Sequence, residues 1–148
     1  MVSISNEQKI GVVGAGLIGA SWAGLFSAFG YETILYDPKK EAIDQAVGQI
    51  KGIWYSLENL HGKLENKKEI KTVDKIEELK ECSFLQENCP ENLDLKQALI
   101  SDLEKIVSDE TIIASSTSSF LPSELREVCD NPDRVLVGHP MNPPHLIP

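Results

Sequence analysis

The sequence predicts a doubly wound α/β fold, a mainly parallel sheet with helices on both faces, as one domain over residues 1–148. Three observations predict it. Short apolar runs alternate with longer amphipathic stretches, and strands separated by helices are joined by crossovers that make a sheet parallel. A glycine turn, Gly14-Ala15-Gly16-Leu17-Ile18-Gly19, connects the first apolar run to the first helix. An acid, Asp37, closes the second run 18 residues beyond Gly19.

The totals agree with that class. The chain has 148 residues, enough for one domain with a core of its own. Its 41% hydrophobic and 25% charged residues are the proportions of a globular protein. No apolar run approaches the length of a membrane span, and MVSISNEQK at the start shows no signal-peptide pattern. A cytoplasmic protein without a membrane partner is expected. The net charge of -9 argues against nucleic acid, whose phosphates need clustered Lys and Arg. Cys82, Cys89 and Cys129 are odd in number and lack metal-type spacing, so reduced thiols and no metal site are expected.

Taken in order, Lys9–Val13 reads as a buried strand. The first helix runs from Leu17 to Phe29, with Ile18, Trp22, Leu25, Phe26 and Phe29 as a core-facing stripe. Gly30 ends it. Ile34–Asp37 is the second strand, and Pro38 sits in the first turn of the next helix, whose stripe runs from Ala42 to Leu57. Residues 61–69 form a polar excursion with a little helix. Residues 70–73 are a short strand, and Lys75–Glu81 a short helix. Ser83–Gln86 is a buried strand. Residues 95–107 are a helix presenting Leu95, Leu99, Leu103 and Ile106 on one face. Thr111–Ala114 is a strand followed by five hydroxyl residues, Pro122–Cys129 a short helix, and Arg134–Gly138 the last strand.

In such sheets ligands bind beyond the carboxyl ends of the strands. The glycine turn suits a pyrophosphate: Gly14 permits a tight turn, Gly16 leaves the backbone bare, and Gly19 lets the helix pack close to the strand. With strand before and helix after, this is a Rossmann-type dinucleotide fingerprint. Asp37 would accept the ribose hydroxyls and repel a 2′-phosphate, favouring NAD over NADP, although Lys39 and Lys40 stand beside it. Glu87 and Glu91 follow a central strand, and one of them is expected to serve the cleft. Ser118 follows the next strand, while Ser119 reads as a cap for the helix at Pro122. His139 follows the last strand and reads equally as a structural residue or as a general base.

GAGLIG with Asp37, then CPENLDLK, then SSTSS, then GHPMNPP resemble the NAD-binding domain of the 3-hydroxyacyl-CoA dehydrogenase family, in the family's order and over nearly the whole chain. GASWAGLF, SSTSSFLPSEL and HPMNPPHLIP carry a closer likeness to its lambda-crystallin, or L-gulonate 3-dehydrogenase, branch. The resemblance implies NAD as cofactor. It places cofactor contacts on Gly14, Ala15, Gly16, Leu17, Ile18, Gly19, Asp37, Glu91 and Lys96. It thereby chooses Glu91 over Glu87 and gives a role to Lys96, which otherwise reads as a surface lysine. The family's substrate-positioning serine falls on Ser118, also beside the cofactor, its catalytic histidine on His139, and its asparagine near the nicotinamide on Asn142.

The implied activity is reversible hydride transfer at the 3-hydroxyl of an L-3-hydroxy acid or a 3-hydroxyacyl-CoA. The resemblance also implies a catalytic glutamate downstream of His139 and a helical domain that completes the substrate pocket and forms a homodimer. Both fall beyond Pro148, so the expectation is a cofactor-binding fragment with little turnover of its own. The serine and lysine that contact CoA in the acyl-CoA branch have no clear counterparts in residues 53–60, which favours a small free acid. The alternative is a non-catalytic NAD-binding protein of crystallin type. A short-chain or lactate-type dehydrogenase is disfavoured, since His139 lies in a different motif context.

Overall fold

The structure, a computed structural model, describes residues 8–147. The reading of the first residues and the end at Pro148 concern positions outside that range. Six strands, β1 (Lys9–Val13), β2 (Glu32–Tyr36), β3 (Lys71–Val73), β4 (Phe84–Glu87), β5 (Ile112–Ser115) and β6 (Val135–Val137), form one sheet in the order β3-β2-β1-β4-β5-β6. Every neighbouring pair is parallel, as expected. The order reverses between β1 and β4, and such a switch point opens a crevice at the carboxyl ends.

Alternation along the strands divides the core into two layers. Val12 and Leu35 face α1 (Leu17–Ala28) and α2 (Lys40–His61), while Val13 and Ile34 face α3 (Leu93–Glu104) and α4 (Pro122–Arg126). Leu35, Leu85 and Ile113 are fully buried, and cutting any one to Ala would cost about 2–5 kcal/mol.

Most elements fall where the sequence places them, and the departures have local causes. In α1 the closest packing is made by the small residues, not by the aromatic stripe. A Cβ on Gly24 would lie 2.6 Å from Ile53 of α2, whereas Phe29 caps the helix and is exposed. Trp22 stacks on Phe26 at 5.2 Å along the rim of that layer. Gly30, at φ 91°, ends the helix as predicted. Pro38 lies outside α2, whose N-cap is Lys39. The polar excursion holds turns but no helix, and Lys75–Glu81 shortens to a 3-10 turn over Ile76–Leu79. Arg134 precedes β6 in a second 3-10 turn, where it is buried on Glu104 at 3.4 Å.

The inward face of α3 is rotated from the predicted one. Lys96, Ile100 and Leu103 are buried, and Leu95 is exposed. A buried lysine displaces a leucine there because its charge is met inside the protein.

Candidate active site

The β1–α1 turn is shaped by its glycines. Gly14 holds φ 94°, in the left-handed region, and its N–H donates to the Tyr36 carbonyl at 2.8 Å. A Cβ on Gly19 would come within 1.8 Å of the Gly14 carbonyl oxygen, so α1 seats on the turn only without a side chain there. A Cβ on Gly16 would meet nothing within 4 Å. It would project into open space at the start of α1, where the first-turn amides have no helical acceptor and an anion is favoured. This cradle fits a dinucleotide pyrophosphate. Asp37 ties the turn to the end of β2: its Oδ2 accepts from the Ala15 N–H at 2.9 Å and its Oδ1 from the Lys39 N–H at 2.8 Å. Each oxygen keeps a second lone pair for a ribose hydroxyl.

Across the switch point the site is made of side chains. Glu87 is the last residue of β4, not a loop acid, and it is fully buried. Lys96 Nζ donates to both of its oxygens, at 2.9 and 3.0 Å, and to the Cys89 carbonyl at 2.9 Å. Ser115 Oγ donates to the same carboxylate. Lys96, 1% exposed, is therefore no surface lysine, and its ammonium also stands 3.7 Å from Glu91 Oε2. Glu91 in turn holds the hydroxyl-rich loop. Its Oε1 accepts from Thr117 Oγ1 and from the N–H groups of Ser118 at 3.1 Å and Ser119 at 3.0 Å. Partial burial pushes the Glu91 carboxyl up, but the Thr117 hydroxyl, the Lys96 charge and the Ser119 N–H outweigh it and hold the pKa below its ordinary value. The Ser119 N–H is thus bound to Glu91, and the N-cap of α4 is Leu121 rather than Ser119. Glu124 of α4 reaches back to the Leu121 N–H instead, at 2.7 Å.

Gly16, Leu17, Ile18, Glu91, Lys96, Ser118, His139 and Asn142 line one cleft of about 1000 Å³. Gly14, Ala15 and Gly19 shape the turn beneath it, and Asp37 lies off the cleft at the far end of the turn. The structure thus brings the sequence-predicted residues to one edge of the sheet. Sequence reasoning missed a polar network below them. Gln86 Nε2 donates to Ser116 Oγ at 2.8 Å, which donates to Asn88 Oδ1 at 2.7 Å, while Asn88 Nδ2 donates to the Gln86 carbonyl at 2.8 Å. A glutamine inside a buried strand was the available signal. Ser21 and His145, bonded to each other at 2.7 Å, also line the cleft and were passed over.

The cysteines offer no reactive thiol. Burial pushes Cys82 and Cys89 up to about 12, with Glu87 adding to the effect at Cys89, and burial followed by Glu104 raises Cys129 to about 11. Among the described residues no three His, Cys, Asp or Glu are grouped to hold a metal ion, and no helix is long and apolar enough to cross a membrane.

The chain is similar to several known proteins. It is 36% identical over 143 residues to the L-carnitine dehydrogenase of Oceanobacillus iheyensis, covering 95% of this chain and 47% of that protein. It is 37% identical over 144 residues to the lambda-crystallin homolog of Mus musculus, covering 93% of this chain and 45% of that protein. The crystal structure of 3-hydroxybutyryl-CoA dehydrogenase from Escherichia coli superposes with a TM-score of 0.83 at 26% identity, covering 94% of this chain and 30% of that one. The chain spans about half the length of the curated relatives it matches. The family described as 3-hydroxyacyl-CoA dehydrogenase, NAD binding domain, matches residues 9–148. With the glycine turn, the all-parallel sheet and the shared cleft in agreement, the chain belongs to the NAD-binding domain of the 3-hydroxyacyl-CoA dehydrogenase family.

Proposed function

We propose that the protein is a dehydrogenase that moves a hydride between NAD and the 3-hydroxyl of an L-3-hydroxy acid, with a free acid favoured over a CoA thioester. One observation carries the reading: Ser118 and His139, from loops after β5 and β6, line the same cleft as the pyrophosphate turn. The likeness to L-carnitine dehydrogenases supports the free acid.

NAD, when bound, supplies the hydride acceptor. Gly16, Leu17 and Ile18 present backbone amides to its phosphates, Asp37 takes the ribose hydroxyls, and Glu91, Ser118 and Asn142 contact it from the other side of the cleft, with Lys96 placed behind Glu91. In oxidation His139 accepts the proton of the substrate 3-hydroxyl, and in reduction its imidazolium returns that proton. The Ser118 hydroxyl hydrogen-bonds the reacting oxygen and fixes its distance from the imidazole. A helical domain completing the substrate pocket, a homodimer built on it, a cytoplasmic location and low turnover by this domain alone belong to the same proposal.

The test is NADH formation by the intact protein with L-3-hydroxybutyrate, L-gulonate, L-carnitine and L-3-hydroxybutyryl-CoA. His139→Ala is expected to lower turnover by about 10²–10⁴-fold while leaving NADH affinity within about twofold, on the order of RT ln 2. NADH binding without turnover of any of the four would favour the second reading, a non-catalytic NAD-binding protein, which the likeness to lambda-crystallin supports.

A further inference from the structure

His145 has no part in the chemistry above, yet it lines the cleft. It shares that lining with Ile18 and Ser21 of α1, Gln49 and Ile53 of α2, and its own neighbour Pro144. Ser21, 3% exposed, holds His145 twice: Ser21 Oγ accepts the His145 backbone N–H at 2.9 Å and lies 2.7 Å from its Nδ1. Two other helical serines give their hydroxyl proton to a carbonyl, Ser27 to Gly24 and Ser56 to Gly52. Ser21 has no such carbonyl among the described residues, so its proton goes to Nδ1. That makes Nδ1 an acceptor and leaves the ring proton on Nε2, which has no partner among the described residues. Burial lowers the pKa of His145, which favours this neutral tautomer. The result is a fixed N–H donor in an otherwise uncharged wall.

Resting on the function proposed above, we infer that His145 Nε2–H donates to the carboxylate of the hydroxy acid, holding the acid end against α1 and α2 while the 3-hydroxyl lies at Ser118 and His139. The two other basic side chains lining the cleft are committed: the Lys96 ammonium is taken up by Glu87 and the Cys89 carbonyl, and His139 is needed at the hydroxyl. A cofactor phosphate is the other source of anionic oxygen, and the turn amides already serve it.

The experiment compares L-3-hydroxybutyrate with its neutral methyl ester in the intact protein, with NADH affinity as a separate arm. His145→Phe keeps a ring in the wall and removes the donor. The KM for the acid is expected to rise about tenfold, the usual scale of a hydrogen bond to a charged group. The KM for the ester and the Kd for NADH should stay within about twofold, on the order of RT ln 2. His145→Gln, which restores an amide N–H near Nε2, should recover most of the loss. An equal loss on acid and ester, a loss confined to NADH, or no change would each overturn the assignment while wild-type turnover leaves the proposed activity standing. Where L-3-hydroxybutyrate is not turned over, L-carnitine or L-gulonate and its ester take its place; if the wild type turns over no free acid, the inference falls, and the proposed activity falls with it only if the thioester also fails. Should His145→Phe not fold, Ser21→Ala makes the same comparison by releasing the ring; an unchanged KM for the acid would then overturn the inference.

Discussion

On the β1–α1 side of the cleft the binding surface is backbone. Gly14, Gly16 and Gly19 make it by lacking side chains, and all of its parts lie within one short stretch closed by Asp37. On the β4–β6 side the surface is a lattice of side chains. Glu87 holds Lys96, Lys96 stands beside Glu91, and Glu91 holds the Thr117–Ser119 loop, over sequence separations of 9 and then 26 to 28 residues. A backbone site fails when an atom is added. A lattice fails when one charge is removed and its partner is left buried.

The largest effects should come from breaking each side in its own way. Gly19→Ala puts a Cβ against the Gly14 carbonyl, and neither is a flexible side chain that can move aside. NADH affinity should fall by at least about a hundredfold, and thermal stability with it. Gly16→Ala is the control, since its Cβ meets only open space: stability should hold while NADH affinity still drops. Equal melting temperatures for the two variants would contradict this geometry. On the other side, Lys96→Met leaves the fully buried Glu87 without its cation and should cost about 3–5 kcal/mol of stability by urea unfolding. Adding Glu87→Gln removes the stranded charge and should restore most of that stability. NADH affinity should stay low, because nothing then stands behind Glu91. Recovery of both would reduce the pair to a structural element.

Asp37→Ala should come next. It removes the acceptor for the Ala15 and Lys39 amides as well as the expected ribose contact, and about tenfold in NADH affinity is the scale of such bonds. NADPH should lose less than NADH. An equal loss of both cofactors would mean that Asp37 only braces the turn.

The same contrast explains what was legible in the sequence. The glycine turn and the strand–helix alternation depend on local spacing, and the structure has them as read, with Asp37, Glu91, Ser118 and His139 standing beyond strand ends. Lys96 on the surface and Leu95 in the core was the natural reading of a helix by residue type. It failed because the charge that lets Lys96 be buried comes from Glu87 on another element. Sequence alone makes Glu87 a loop acid for the matching reason: a carboxylate ends a strand pattern unless a buried cation answers it. Ser119 reads as a helix cap by position because its partner, Glu91, is 28 residues away. Gln86, Asn88 and Ser116, and the pair of Ser21 and His145, likewise acquire meaning only from partners on other elements.

Glu91→Gln is the mildest break in the lattice and the one that reports on pH. The side chain keeps its shape and one acceptor oxygen for the Thr117–Ser119 loop but loses its charge beside Lys96. Because folding lowers the Glu91 pKa below its ordinary 4.5, the ionised carboxylate contributes stability above that pH. The contribution is lost as pH falls through the lowered folded value. Wild type should therefore lose urea stability more steeply than Glu91→Gln between about pH 5 and pH 3, and the two curves should converge at the acid end. At neutral pH the variant should be only slightly less stable, since Glu91 is partly exposed and solvent screens its pairing. Parallel curves across that range would mean that neither the loop donors nor Lys96 favours the charged form of Glu91. The lattice would then end at Lys96, and Ser118 would owe its position to Thr117 and the turn around it.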